Sequence, residues 1–277
     1  IPVVCMFSPS AWAYGQDRAV KLAERVELLL AVLPFEADFY RKFGTNVTYV
    51  GHPLIDRVRP ELDPKQYRQQ LKLAPGEKLV ALLPGSRRQE IQSLLPPMLE
   101  AARLLERDHQ IRWLLPVAAS LDKTWLDEMI REHKVPVTLL TSGTYDLLAA
   151  ADAAVISSGT ATLEAAILDT PLVVVYRLSK ATLWIYKRME AQEHKGKPLL
   201  VGLPNLIAGR EIVPEVLQEN LTPEQIALAL GSILKESNNR RIREELAAIR
   251  ERIGPPGVME RAATLISKLI AEAGSGN

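Results

Sequence analysis

Apolar and polar positions along this chain fall into short blocks that change period as they go. The apolar runs IPVVCMF (1–7), LLLAVLP (28–34) and NVTYV (46–50) alternate with segments whose apolar residues recur at helical spacing, Asp17 to Glu27 and FEADFYRKF (35–43). Near-continuous apolar strands separated by helices predict a parallel sheet covered on both faces. Only three strands are visible in this part, so the sheet reads as lacking its front half. The polar stretch from Pro60 to Lys78, with prolines at 60, 64 and 75, predicts a crossover linker holding a short helix in LDPKQYRQQLKL.

A second series begins at Lys78. The strand-like runs LVALLP, IRWLLPVA, VTLLT, AAVIS and PLVVVYR alternate with predicted helices from about Glu90 to Arg107, through Leu126 to His133, at Tyr145 to Ala150 and from Ala161. Five such runs suffice for a complete doubly wound domain, so the fold class is α/β. A helix near Leu183 to Met189 follows, then the loop GKPLLVGLPNLIAGREIV. Pro214 stands near the start of a further helix, two or three terminal helices come after it, and the GSGN tail is expected to be disordered. The expected organisation is 1–59 as part of a first Rossmann-like domain, 60–77 as linker, 78–220 as a second Rossmann-like domain and 221–277 as helices packing across domains or subunits.

Composition narrows the chemistry. The 277 residues carry a net charge of +1, which leaves no excess of Lys and Arg for a nucleic-acid backbone; any anion site must be local. The single cysteine, Cys5 among Val3, Val4, Met6 and Phe7, excludes a disulfide framework and reads as a core thiol in a reducing compartment. The longest apolar run, LLLAVLPF, is broken by Pro34 and is far too short for a bilayer. The N-terminus opens directly on an apolar strand and reads as a cut end.

Two strand-to-helix junctions bear the chemistry, because ligands in open α/β sheets bind beyond the carboxyl ends of strands. In PGSRRQEI, Gly85 permits close backbone approach, Ser86 is a natural N-cap, and Arg87 and Arg88 stand where the helix dipole already places positive charge. An anion would relieve that repulsion, and a diphosphate suits the guanidinium fork. The alternative is that the arginines extend into solvent or pair with Glu90 across the first turn. In AAVISSGTATLEAAIL, the residues Ser157, Ser158, Gly159 and Thr160 make a small donor-rich loop, an anion cradle. Glu164 lies one helical turn beyond Thr160, where its carboxylate can accept bonds from a ribose's paired hydroxyls. A capping role for Thr160 and an exposed Glu164 are the alternative.

Weaker candidates remain. Asn205 in LPNLIA could offer its amide to a ligand or bond its own backbone, and Glu215 and Gln218 stand one helical turn apart. Histidines at 52, 109, 133 and 194 lack ligand spacing and no Asp-x-Asp occurs, so neither metal nor cofactor is expected. There is no GK[ST] loop, no GxGxxG and no GxSxG. LSKATLWIYKRM sets Trp184 and Tyr186 among Lys180, Lys187 and Arg188, compatible with helix packing or an interfacial membrane contact.

In order, SPSAWAYGQ, PFE (34–36), VGHPL (50–54), LPGSRRQEI, SGTATLEAA, PLVVVYR and LPNLIAGREIVPE resemble the lipid-A-disaccharide synthase family over nearly the whole chain. The resemblance implies a GT-B glycosyltransferase: two Rossmann-like domains, the first incomplete here, and metal-free, inverting transfer of 2,3-diacylglucosamine from its UDP carrier to the 6-hydroxyl of 2,3-diacylglucosamine 1-phosphate (lipid X). Arg87 becomes the phosphate contact and stabiliser of departing UDP, with Ser86 and Arg88 beside it. The stretch Ser158, Gly159, Thr160, Ala161 and Thr162 becomes the second helix N-terminus, Glu164 the ribose contact, and Asn205 the last donor-site position. Cytoplasmic work at the inner-membrane surface and a homodimer are further implications; nucleic acid is not a partner. Tyr14 and Glu27 depart from the family pattern, and its Gly-Glu-x-Ser-Gly-Asp segment, where the general base is placed, is not among these residues. The polypeptide is therefore expected to bind UDP but turn over poorly. A UDP-N-acetylglucosamine 2-epimerase, a MurG-like transferase or an inactive nucleotide-sugar-binding fragment are the alternatives.

Overall fold

The computed structural model describes residues 1–9, 11–12, 17–177 and 200–274. The expected helix near Leu183 to Met189, the Trp184 and Tyr186 surface, Tyr14 and the GSGN tail's last residues lie outside these. The chain divides into two compact units, one of residues 1–58 and 248–277 and one of residues 59–247.

The first unit holds β1 (Val4–Met6), α1 (Asp17–Ala23), β2 (Leu28–Ala31), α2 (Pro34–Arg41), β3 (Val47–Tyr49) and α3 (Leu54–Arg57). The strands form a parallel sheet in the order β1-β2-β3. Leu29, Ala31, Ala37, Tyr40 and Val47 build its core, and Cys5 packs against them half-buried, its thiol pKa raised by desolvation. α2 begins where Pro34 fixes φ at the helix start, and Glu36 folds back to accept from the Leu33 N–H. The chain returns to this unit near its end. Asp56 accepts the N–H groups of Gly257 and Val258 at 2.7 and 3.0 Å, satisfying first-turn donors of the last helix, and Arg261 donates to the Val50 carbonyl.

The second unit contains α4 (Pro64–Gln70), β4 (Lys78–Leu83), α5 (Arg88–Leu105), β5 (Ile111–Pro116), α6 (Lys123–His133), β6 (Val137–Leu140), α7 (Thr144–Ala150), β7 (Ala153–Ser157), α8 (Thr160–Ile167), β8 (Leu172–Tyr176), α9 (Leu203–Ala208), β9 (Glu215–Leu217) and α10 (Pro223–Leu234). Then come α11 (Glu236–Arg252), which passes from the second unit to the first at Ala248, and α12 (Val258–Gly274) in the first. The six parallel strands are ordered β6-β5-β4-β7-β8-β9. β4 and β7 are apolar throughout their middles because both faces are covered: Leu79 to Leu82 and Ala153 to Ile156 are almost wholly inaccessible.

Strand order decides where a ligand can sit. From β4 the chain winds outward to β5 and β6, then returns to β7 on the other side and winds outward to β8 and β9. The reversal lies between β4 and β7, whose register pairs Leu83 with Ile156. Loops leaving these neighbouring strands diverge to opposite faces and open a crevice at the carboxyl edge.

Two expectations change. Pro214 does not open a helix: Glu215, Val216 and Leu217 form edge strand β9, with Glu215 paired to Val174 of β8. Three residues give too short an alternation to declare a strand beside Gln-Glu-Asn. Conversely, LPNLIA is helical, opened by Pro204 in its first turn and ended by Gly209 at φ 72°, the left-handed conformation glycine adopts freely. α5 continues through Pro96 and Pro97, because Ile91, Leu94, Leu95, Met98, Leu99, Ala101 and Ala102 bury one long face against the sheet and α10. That burial outweighs the backbone bonds the prolines remove. Among the described residues no helix is long and apolar enough to cross a membrane.

Candidate functional site

At the switch point a cavity of about 480 Å³ opens. The β4 side contributes Leu83, Gly85, Ser86, Arg87 and Glu90; the β7 side contributes Ser157, Ser158, Gly159, Thr160, Ala161 and Glu164. Pro116 at the end of β5, Val117 and Ala118 after it and Thr144 at the start of α7 complete it. The two junctions singled out in the sequence therefore face one space, which neighbouring parallel strands with helices on opposite faces enforce.

The first corner is organised by Glu90. Its carboxylate accepts from the Ser86 and Arg87 N–H groups at 3.3 and 3.4 Å and from Arg87 Nη1 at 2.8 Å. This folds PGSR around the helix start and answers one of the two readings of Arg87: the guanidinium does pair across the first turn. Yet the Arg87 side chain is 82% exposed, so the pair is a solvent-screened one of small worth, and Arg87 still lines the cavity. Gly85 is required here. Its φ is +116°, and a Cβ there would collide with the Glu90 carboxylate. Arg88 parts from Arg87: its guanidinium lies 4.8 Å over the Trp125 ring of α6 and it is not among the cavity's residues. Its expected phosphate contact gives way to a cation–π contact, because one helix position turns the side chain about 100° round the axis.

The second corner presents the start of α8, where the Thr162 N–H already donates to the Gly159 carbonyl and the preceding Thr160 and Ala161 N–H groups come before the first intrahelical bond. Gly159 and Thr160 are exposed, and an added Cβ on Gly159 would meet nothing within 4 Å. Ser158 lines the cavity, while its hydroxyl donates to the Val201 carbonyl at 2.8 Å and its N–H to Val175. Thr162 is wholly buried; its hydroxyl donates to the Gly159 carbonyl at 2.7 Å and accepts the Leu203 N–H at 3.3 Å. It shapes the corner from behind and is not in the lining. Glu164 is half-buried in the cavity lining and accepts from the Tyr145 hydroxyl at 3.5 Å. A further recess of about 350 Å³, bounded by Arg59, Glu61, Gly143, Thr144, Tyr145 and Asp146, shares Glu164.

Asn205 is not brought to the cavity. It is fully buried, donates to the Val213 carbonyl and Glu215 Oε1 at 2.8 and 2.7 Å, and accepts the Ile212 and Val213 N–H groups at 2.8 and 3.0 Å. Its amide is spent on turning the chain from α9 into β9, a structural role in place of the expected ligand contact. His52 belongs to the first unit: 8% exposed, its Nδ1 accepts the Leu54 N–H at 3.2 Å, and desolvation lowers its pKa to about 4. It packs and caps, as a neutral ring. Sequence reading missed Thr144, Tyr145 and Pro116 to Ala118. Their signal was available in the rule that every strand's carboxyl end faces the same edge, applied to β5 and β6 as well as to β4 and β7.

The cavity thus combines one cation, Arg87, and the starts of α5 and α8 with two carboxylates, Glu90 held against Arg87 and Glu164 one turn into α8. The cation and the helix starts suit a diphosphate, and a carboxylate can accept from paired hydroxyls.

Comparison with known proteins agrees. The family described as lipid-A-disaccharide synthetase matches residues 1–267. A lipid-A-disaccharide synthase of Syntrophus aciditrophicus (strain SB) is 41% identical over 273 residues, which are 98% of this chain and 70% of the relative. Among solved structures, the S. aureus MnaA–UDP co-structure superposes with a TM-score of 0.65 at 12% identity, over 98% of this chain and 70% of that one. WaaG, a glycosyltransferase involved in lipopolysaccharide biosynthesis, gives a TM-score of 0.53 at 14% identity, over 86% and 62%. The structural likenesses establish the GT-B type of fold alone. The family match does not favour the epimerase or MurG-like alternatives, and the chain belongs to the lipid-A-disaccharide synthase family of glycosyltransferases.

Proposed function

We propose that the cavity between the β4 and β7 corners holds the UDP part of a UDP-2,3-diacylglucosamine donor. The 2,3-diacylglucosamine group then passes to the 6-hydroxyl of 2,3-diacylglucosamine 1-phosphate. The convergence of Ser86–Arg87 and Ser158–Ala161 on one space that also contains Glu164 carries the reading. As the acceptor oxygen forms its bond to the anomeric carbon and gives up its proton to a general base, the bond to UDP breaks and its electron pair stays on the diphosphate. Arg87 and the α8 N-terminus stand where that charge accumulates, which is where fixed donors lower the barrier. Glu164, assisted by the Tyr145 hydroxyl, is placed for the ribose. Both substrates carry acyl chains, which supports work at a membrane surface.

Calorimetric titration with UDP tests the assignment. Arg87→Ala and Glu164→Ala should each weaken binding by about 1–3 kcal/mol, the scale for losing a charged hydrogen bond. Unchanged affinity in both variants would remove UDP from this cavity.

A further inference from the structure

Behind the second corner lies a polar cluster centred on Glu215, which is not itself in the cavity lining. Glu215, the first residue of edge strand β9, accepts three donors with its half-buried carboxylate: the Val201 and Gly202 N–H groups, both at 2.9 Å, and Asn205 Nδ2 at 2.7 Å. The opposite side of the same segment faces the corner. The Val201 carbonyl accepts from the Ser158 hydroxyl at 2.8 Å, and the Leu203 N–H donates to the Thr162 hydroxyl, which holds the Gly159 carbonyl. Residues 201–203 are thus clamped between Glu215 and the loop carrying Ser158, Gly159 and Thr160. The fit is close: a Cβ on Gly202 would come within 2.9 Å of Val174 Cγ2 and 3.1 Å of Glu215 Oε1.

We infer that Glu215 is a positioning residue of the donor site, acting through Val201–Leu203 to hold the Ser158–Thr160 corner in its anion-binding shape. The inference rests on the UDP reading of that corner. The chemistry calls for a carboxylate: three N–H donors converge on one group, and each of its hydrogen bonds among the described residues is one it accepts. Leaving the donors unmatched inside the fold would let the segment shift and carry Ser158 and Gly159 with it. Burial raises the carboxyl pKa against the lowering effect of the three donors, so the contacts hold the group in place despite its desolvation.

The test compares Glu215→Gln, Thr162→Val, their double variant and a core control, Ile226→Ala, by UDP calorimetry and thermal melting of the full chain. Glu215→Gln should weaken UDP binding about tenfold, the effect of one lost charged hydrogen bond. Because Glu215 and Thr162 act through one segment, the double variant should lose less than the product of the single losses. Ile226→Ala, buried in α10 and outside both the cavity lining and the hydrogen-bonded segment, should lower the melting temperature while leaving UDP affinity unchanged. Wild-type affinity in Glu215→Gln, multiplying losses in the double variant, or an equal affinity loss in Ile226→Ala would each overturn the inference while leaving the UDP site itself standing. No UDP binding by the unchanged chain would remove the site and the inference together.

Discussion

Adjacent arginines at one helix start have separate fates, and the difference is testable. Arg87 lines the cavity, whereas Arg88 lies on Trp125, so Arg88→Ala should cost at most about 1 kcal/mol of stability from the cation–π contact and leave UDP affinity unchanged. A loss of affinity equal to that of Arg87→Ala would show that both guanidiniums reach the phosphates. Gly85 offers a sharper case. Ala at φ +116° is strained and its Cβ displaces the Glu90 carboxylate that shapes PGSR. Gly85→Ala should therefore lower stability by about 1–3 kcal/mol in urea melts and weaken UDP binding as well. Undiminished affinity would mean that Glu90 does not organise the corner. At this scale the sequence made Ser86, Arg87, Ser158, Gly159, Thr160, Ala161 and Glu164 legible as one group, since small and donor residues after a strand have few other uses. Asn205 was ambiguous for a physical reason: a polar side chain in a glycine- and proline-rich stretch has the same composition whether its donors meet a ligand or the chain's own backbone.

At the scale of elements, the turn from α9 into β9 is held by polar contacts as well as by the buried Ile207, Ile212 and Val213. Asn205 bridges α9 to β9 with four hydrogen bonds, and β9 has only Val216 buried among its three residues. Replacing Asn205 by Ala leaves the Ile212 and Val213 N–H groups unmatched in the interior. The expected cost is about 2–4 kcal/mol, read as a lower urea midpoint with an unchanged denaturant slope. An unshifted midpoint would show that water or a neighbouring group replaces the amide without loss. The long apolar runs behind β4, β5, β7 and β8 were readable because a doubly covered strand must be apolar throughout. β9 was not readable, because an edge strand of three residues borrows its conformation from β8. α5 was placed within two residues at either end despite Pro96 and Pro97, since its apolar face outlasts the break in its hydrogen bonding.

At the scale of the whole molecule, every residue of the proposed donor cavity falls within residues 59–247, while the buried His52 falls in the other unit, so acid should affect the two differently. His52 titrates at about 4 in the fold against 6.5 when solvated, because burial disfavours the imidazolium. Protonating Nδ1 would also break its bond from the Leu54 N–H, beside the edge-on Phe7 ring. The unfolded chain then binds the proton more readily than the folded one. The first unit's stability is intact above pH 6.5 and declines as pH falls from 6.5 toward 4, by up to about 3 kcal/mol at 1.36 kcal/mol per pKa unit. Glu36 opposes this in the same unit: its carboxyl pKa is raised by burial, so the fold takes up its proton more readily than the unfolded chain does, and acid relieves the cost of its charge. The two are separated by comparing the unchanged chain with His52→Gln, following amide exchange of Leu29 and Leu30 in β2 from pH 7 to 4.5 after correction for intrinsic rates. The unchanged chain should lose protection on acidification more steeply than the variant. An equal pH slope in both, or an imidazole spectrum titrating near 6.5, would show that His52 is solvated in the fold and sets no acid limit on this unit.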